Sequence, residues 1–209
     1  MNLDKLEQHL EERIPGLLDA TGRFAVLVPL VKRKDGLHLL YEVRAKGIAQ
    51  PGEVCFPGGK MEPGEDPESC ALRETWEELG IPASKIRVLG HLDFLAHRSG
   101  LIMYPVLGVL DGETADSLRF SPSEVAETFQ VPLDYLWKVQ PLEYTYALET
   151  RPPEDFPYEE LGITPGYNWR SGRERGVSYP WQGHAIWGLT GKITRHLLQI
   201  LTEMDLKPF

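Results

Sequence analysis

Residues 66–80 read DPESCALRETWEELG, and no other stretch restricts the fold as strongly. Asp66 is suited to cap a helix, and Pro67 stands at the first helical position, where its missing N–H costs nothing. Gly80 is placed to end the helix. At about 100° per residue, Ala71, Leu72, Thr75, Trp76 and Leu79 fall on one side and are expected to face a core. Glu74, Glu77 and Glu78 fall on the other side, within about 100° of each other. Like charges at i, i+3 and i+4 weaken a free helix. As a solvated acidic face this arrangement brings no gain, whereas a divalent cation with its taste for hard oxygen ligands turns it into a site. Arg73, beside this face, is expected to pair with Glu65 and fix the preceding loop against the helix. The turn Pro57-Gly58-Gly59 lets a backbone carbonyl approach a metal with no side chain in the way.

The rest of the chain supplies strands and helices without strict alternation. Leu3, Leu6 and Leu10 mark a short amphipathic helix ended by Pro15-Gly16. Residues 24–31 (FAVLVPLV) form an apolar run expected to be a buried strand, with Pro29 as an irregularity. Asp35-Gly36 signals a turn into a returning strand at 37–43. Residues 47–52 read as a loop, and 53–56 as a short strand leading into the glycine turn. Residues 86–95 and 101–110 read as two strands joined at 97–100, 125–131 as another strand, and 132–137 as a short helix. Residues 151–183 hold five prolines, among them Pro165 and Pro180, with Tyr158, Tyr167, Trp169, Tyr179 and Trp181 interleaved. This reads as a long irregular arm, because linkers seldom carry so many aromatics. Residues 188–204 read as a final helix with Leu189, Ile193, Leu197, Ile200 and Leu201 on one stripe. Trp76 and this stripe are expected in the core. The fold class is α/β (α+β) with a mixed β-sheet.

Lys and Arg number 22 against 31 Asp and Glu, a net charge of −9. That balance argues against a general nucleic-acid binder, which shows a basic face. It admits an anionic substrate bound through metal ions. Two cysteines, Cys55 and Cys70, are too few for a disulfide framework and fit a reducing compartment. Cys55 is expected to be buried and inert, and Cys70 to be a small packing residue near the carboxylates. The six histidines are scattered, with His97 at a hairpin tip the one to watch. No apolar run approaches the ~18 residues of a membrane span, the N-terminal sequence lacks a signal-peptide core, and the last residues through Phe209 are not a peroxisomal address. A cytoplasmic location is the expectation.

Residues 59–81 (GKMEPGEDPESCALRETWEELGI) resemble the Nudix box, G-x5-E-x7-R-E-U-x-E-E-x-G-U with U apolar. Gly59, Glu65, Arg73, Glu74, Glu77, Glu78, Gly80 and Ile81 fill their positions, and Thr75 replaces one apolar residue. Seven fixed positions coincide by chance about once in 10⁸ windows, so the resemblance is specific. It implies a Nudix α/β/α sandwich forming one domain over residues 1–209, made of the box, the arm at about 151–183 and the helix at about 188–204. A second resemblance is to coenzyme A pyrophosphatases. Pro51-Gly52-Glu53-Val54-Cys55-Phe56-Pro57-Gly58-Gly59 is similar to the end of their signature upstream of the box. Leu39-Leu40 and Arg44-Ala45 are similar to its start, one residue out of register. The signature's second arginine has no counterpart, which leaves Lys46 to substitute. Residues 124–133 (EVAETFQVPL) and 186–190 (IWGLT) resemble two later motifs of the subfamily.

The resemblance implies hydrolysis of a nucleotide-linked diphosphate with Mg²⁺ or Mn²⁺. Glu74 and Glu78 are the first-choice metal ligands, with Glu77 next and the carbonyl of Gly58 or Gly59 beside them. Arg73 and Glu65 complete the catalytic set. A box glutamate, Glu124 or Glu127 would orient the attacking water. The implied substrate is coenzyme A or acyl-coenzyme A, giving 3′,5′-ADP and 4′-phosphopantetheine. Its 3′-phosphate wants a cation, for which Arg44, Lys46, Arg170, Arg173 and Arg175 are candidates. The alternatives are a Nudix hydrolase for ADP-ribose, NADH or a nucleoside triphosphate, and a silent nucleotide-binding module. The partners expected are a small nucleotide diphosphate and, as an option, a second copy in a homodimer, with no nucleic acid and no membrane.

Overall fold

The computed structural model describes residues 2–164 and 166–206. The reading of Pro165 and of the last three residues lies outside them. The chain opens with α1 (Leu3–Glu12), capped by the Asn2 side chain, which accepts from the Asp4 and Lys5 N–H groups. This helix buries none of its residues. β1 (Gly22–Arg33) and β2 (Gly36–Arg44) form the expected hairpin at Asp35-Gly36. β3 (Val54–Cys55) and β4 (Gly58–Lys60) flank the glycine turn, and α2 (Pro67–Leu79) follows. The stretch read as one strand at 86–95 divides into β5 (Arg87–His91) and β6 (Leu95–Ala96), both antiparallel to β7 (Leu101–Asp111). The short α3 (Gly112–Asp116) precedes β8 (Val125–Pro132) and α4 (Leu133–Lys138). β9 (Leu142–Leu148), β10 (Gly172–Trp181), β11 (His184–Ile186) and α5 (Gly188–Glu203) complete the order.

Eight strands form a mixed sheet along β3-β2-β1-β7-β5, with β4 beside β1, β6 beside β7 and β8 beside β2. β1 and β7 are its parallel pair, in register from Gly22↔Leu101 to Lys32↔Asp111. Alternate side chains of β1 serve two cores. Val26, Val28 and Leu30 join Leu39, Tyr41, Ile193 and Leu197 on the α5 face. Ala25, Leu27 and Val31 join Leu40, Cys70, Ala71 and Leu79 on the α2 face. A strand covered on both sides reads as a continuous apolar run, which accounts for FAVLVPLV. Helices on both faces give the layered α/β architecture expected.

The second sheet departs from expectation. β10 lies within the segment read as an irregular arm and pairs antiparallel with β9 from Gly172↔Leu148 to Ser178↔Leu142. Val177 and Tyr179 of β10 are buried in the α5-face core, which draws this segment into extended structure despite its glycines and Pro180. Residues 151–164 and 166–171 hold no helix or strand, and Phe156 packs edge-to-face with both Tyr158 and Trp169. On α5 the buried residues are Thr190, Gly191, Ile193, Thr194, Leu197 and Leu198, while Leu189, Ile200 and Leu201 are half-buried. The helix turns small residues inward because it approaches closely. Thr194 meets the Tyr41 hydroxyl at 2.9 Å, and a Cβ on Gly191 would lie 2.6 Å from the Val177 carbonyl.

Candidate active site

The ends of α2 follow from their residues. The Asp66 carboxylate accepts from the Glu68 and Ser69 N–H groups at 3.0 Å, and Gly80 (φ 70°) returns its N–H to Trp76 at 2.9 Å. The residues α2 buries are Cys70, Ala71, Thr75, Glu78 and Leu79. The inward stripe therefore passes through Glu78, and Trp76, expected in the core, is rotated out and 54% exposed. A wheel that sorts residues by polarity puts Glu78 outside; the sheet beneath puts it inside.

Arg73 gathers the acidic groups around it. Its Nε and Nη2 donate to the two oxygens of Glu65 at 3.0 and 3.1 Å, the pairing expected from sequence. Its Nη1 donates to Glu74 at 2.8 Å and Glu77 at 3.2 Å, and Nη2 reaches the Lys60 carbonyl at 3.2 Å. Glu65 also accepts the Glu62 N–H at 2.9 Å. The forked guanidinium suits this task, since it meets a carboxylate bidentately. Beside it the Glu65 carboxyl is held down to about 2.

The glycine turn fits under α2 with no space to spare. Pro57 accepts the Leu27 N–H at 2.8 Å, and the Gly58 N–H donates to Glu78 Oε2 at 2.8 Å. Gly58 has φ 154°, and a Cβ there would strike the Ala25 carbonyl and the Val26 backbone. A Cβ on Gly59 would strike the Glu74 carboxylate. The Gly59 carbonyl accepts from the Cys70 thiol at 3.6 Å. That thiol is fully buried against Glu65 and Glu74, and its pKa is pushed up to about 12 by burial above all.

One acidic residue of this cluster was not anticipated. Glu42 of β2 lies on the same face of the sheet as Leu40, beneath α2, and is 1% exposed. Its Oε1 accepts from the Cys55 thiol at 3.3 Å, and its Oε2 is buried without a hydrogen-bond partner. Burial raises the pKa of Glu42, Glu74 and Glu78, and mutual repulsion with Glu124 nearby adds to it. The sequence held one signal for Glu42, a lone carboxylate in the apolar strand LLYEV.

The other expected residues separate. Glu124 is exposed, yet close enough for its charge to act on Glu42, Glu74 and Glu78. Glu127 shares the register of Val43, on the opposite face of the sheet from Glu42, and lies 3.5 Å from His184. The two-residue period of β8 thus keeps it out of the cluster. Arg44 turns its Nε to the Ala49 carbonyl at 2.7 Å while its charge favours ionised Glu42. Lys46, Arg170, Arg173 and Arg175 are exposed. His97 meets the Ser99 hydroxyl at 2.8 Å, a contact within the hairpin turn.

Among the described residues, no three His, Cys, Asp or Glu side chains close on one point. Arg73 and the Gly58 amide hold oxygens of Glu74, Glu77 and Glu78 instead. The donor set still fits a divalent cation. It is all hard oxygen, with two buried carboxylates that repel each other and one oxygen unpaired.

A pH dependence follows. The folded chain keeps protons on Glu42 and Glu78 at pH values where the unfolded chain has released them. Folding then takes up protons, and stability falls as pH rises from the ordinary value of 4.5 towards about 9, where Glu78 ionises. Glu65 acts in the opposite sense, but only below 4.5. Without divalent cations the melting temperature is expected to drop by at least about 5 °C across this window, and Mg²⁺ is expected to flatten the slope. Thermal unfolding in chelator and in Mg²⁺ checks this, and a flat profile in chelator contradicts it.

Residues 21–148 match the family described as NUDIX domain, well over half of the chain. The chain belongs to the Nudix family. It is a diphosphate-hydrolysing enzyme of that family, whose members generally use divalent metal ions and act on small nucleotide-linked substrates. This Nudix hydrolase is 34% identical over 190 residues to the peroxisomal coenzyme A diphosphatase NUDT7 of Mus musculus, spanning 89% of this chain and 73% of that protein. It is 33% identical to the mitochondrial coenzyme A diphosphatase NUDT8 of Homo sapiens, over 88% and 71%. To a Nudix hydrolase named NudL of Photorhabdus laumondii it is 32% identical, over 88% and 87%. Among solved structures, an Ap4A hydrolase of C. elegans is 24% identical with TM-score 0.46, covering 53% of this chain and 80% of that one. No helix among the described residues is long and apolar enough to cross a membrane.

Proposed function

We propose that this Nudix hydrolase cleaves coenzyme A or acyl-coenzyme A at its diphosphate, giving 3′,5′-ADP and 4′-phosphopantetheine or its acyl form. The observation that carries this reading is the similarity to two coenzyme A diphosphatases along nearly nine-tenths of the chain. The carboxylate cluster beneath Arg73 supplies the chemistry. The whole chain, residues 1–209, acts as one unit in this reading, and its cytoplasmic placement is tested by fractionation.

Glu74 and Glu78, with Glu77 and the Gly59 carbonyl, hold Mg²⁺ or Mn²⁺. Such an ion neutralises diphosphate charge and lowers the pKa of water. The residues of the chain do the rest. The Gly58 N–H fixes one oxygen of Glu78, and Arg73 fixes Glu74, Glu77 and Glu65, so the cluster needs little rearrangement. Water forms the new P–O bond as the bridging P–O bond breaks, and its proton passes to a carboxylate. Glu124, exposed beside the cluster, is the base this geometry favours over Glu127. Arg44 and Lys46, in and after β2, are the cations offered to the 3′-phosphate.

The test is a substrate panel of coenzyme A, acetyl-coenzyme A, ADP-ribose, NADH and nucleoside triphosphates with Mg²⁺ or Mn²⁺. Preferential release of 3′,5′-ADP is expected. Cleavage of ADP-ribose with coenzyme A untouched would overturn the substrate assignment, and binding without turnover of anything would favour a silent module.

A further inference from the structure

The position of Glu42 is costly. Burying a carboxylate costs several kcal/mol unless it is paired and hydrogen-bonded. What Glu42 receives is a single contact from a thiol, a weak donor, and Arg44 spends its Nε on a backbone carbonyl. Its second oxygen has no partner, although the side chain is almost wholly enclosed. The groups around it are Cys55 of β3, Arg44 of β2, Glu78 of α2 and Glu124 before β8, two of them carboxylates. An apolar residue would continue the α2-face core set by Leu40 and would remove this cost. A carboxylate here gains only if a cation comes to it.

We infer that Glu42 is a further carboxylate of the divalent-cation site, presented from the sheet by β2 to an ion that Glu78 holds from α2. This rests on the reading of Glu74 and Glu78 as metal ligands. Glu42 lies 17 residues before Gly59, outside the box, and no motif of the sequence marks it. The Cys55 thiol on Oε1 leaves Oε2 as the oxygen free to turn to the ion. The competing account is a protonated, neutral Glu42 that fills space and plays no part in metal binding.

Calorimetric titration of the metal-stripped full chain with Mn²⁺, together with thermal unfolding with and without Mn²⁺, separates the two. Glu42→Gln is expected to weaken Mn²⁺ binding by about tenfold or more and to shrink the Mn²⁺-induced rise in melting temperature. Its melting temperature without metal should be equal to or above that of the parent, because an amide does not carry the burial cost of an ionisable carboxyl. Glu42→Asp should keep more of the affinity than Glu42→Gln. If Glu42→Gln fails to fold, Glu42→Leu carries the same expectation. Parent-like Mn²⁺ affinity in the Glu42 variants with lost affinity in Glu78→Gln overturns this inference and leaves the proposed metal site standing. Parent-like affinity in Glu78→Gln as well, or no Mn²⁺ binding by the parent, overturns both.

Discussion

Glu78→Gln is expected to lower turnover by at least about 10²-fold while leaving the chain folded. Glu78 is the one box glutamate enclosed by the fold, 7% exposed. One of its oxygens is spent on the Gly58 N–H at 2.8 Å. Glutamine can accept that same hydrogen bond through its amide oxygen, so the turn and helix keep their contact. What is lost is the negative charge, and with it the attraction for a cation. Without metal, Glu78 already keeps its proton up to about pH 9, so the neutral amide should leave the metal-free variant melting no lower than the parent. Steady-state kinetics on coenzyme A and thermal unfolding check the two halves. Near-parental turnover would mean that the ligands are misassigned.

Gly58→Ala is expected to cost about 3 kcal/mol of stability, or roughly 6–12 °C in melting temperature for a chain of this length. Two penalties combine there. With φ at 154° the backbone lies where L side chains seldom go, and the added Cβ would strike the Ala25 carbonyl and the Val26 backbone. Both obstacles are main chain in β1, the central strand, so neither can move aside cheaply. The strain falls on the pairing of β4 with β1 at Val26↔Gly58 and on the amide that holds Glu78, so activity should fall with stability. Gly47→Ala is the control. Its Cβ meets nothing within 4 Å, and a change within about 0.5 kcal/mol is expected. Equal effects at the two positions, followed by chemical denaturation, would refute the steric argument.

Local chemistry made much of this legible from residues alone. Asp66, Pro67 and Gly80 bound α2 because capping depends on near neighbours. The Arg73–Glu65 pair was legible because both partners sit in one short segment. The features that escaped depend on distant neighbours. Trp76 looked like core until the sheet selected the stripe through Glu78. β10 looked irregular because glycines and prolines suggest turns, yet β9 and α5 cover Val177 and Tyr179 and hold it extended. Glu42 showed only as a lone carboxylate in an apolar strand, because strand alternation assigns a residue to a face without saying what covers that face. Glu127 was grouped with Glu124 by nearness in sequence, and the period of β8 sends it to the other side.

The most direct measurement of the central claim is product analysis by mass spectrometry after the metal-stripped chain is given coenzyme A, first in chelator and then with Mn²⁺ or Mg²⁺ restored. The predicted result is no turnover in chelator and, on metal addition, equal amounts of 3′,5′-ADP and 4′-phosphopantetheine. Turnover that persists in chelator, or coenzyme A left intact while another diphosphate is cleaved, would contradict it.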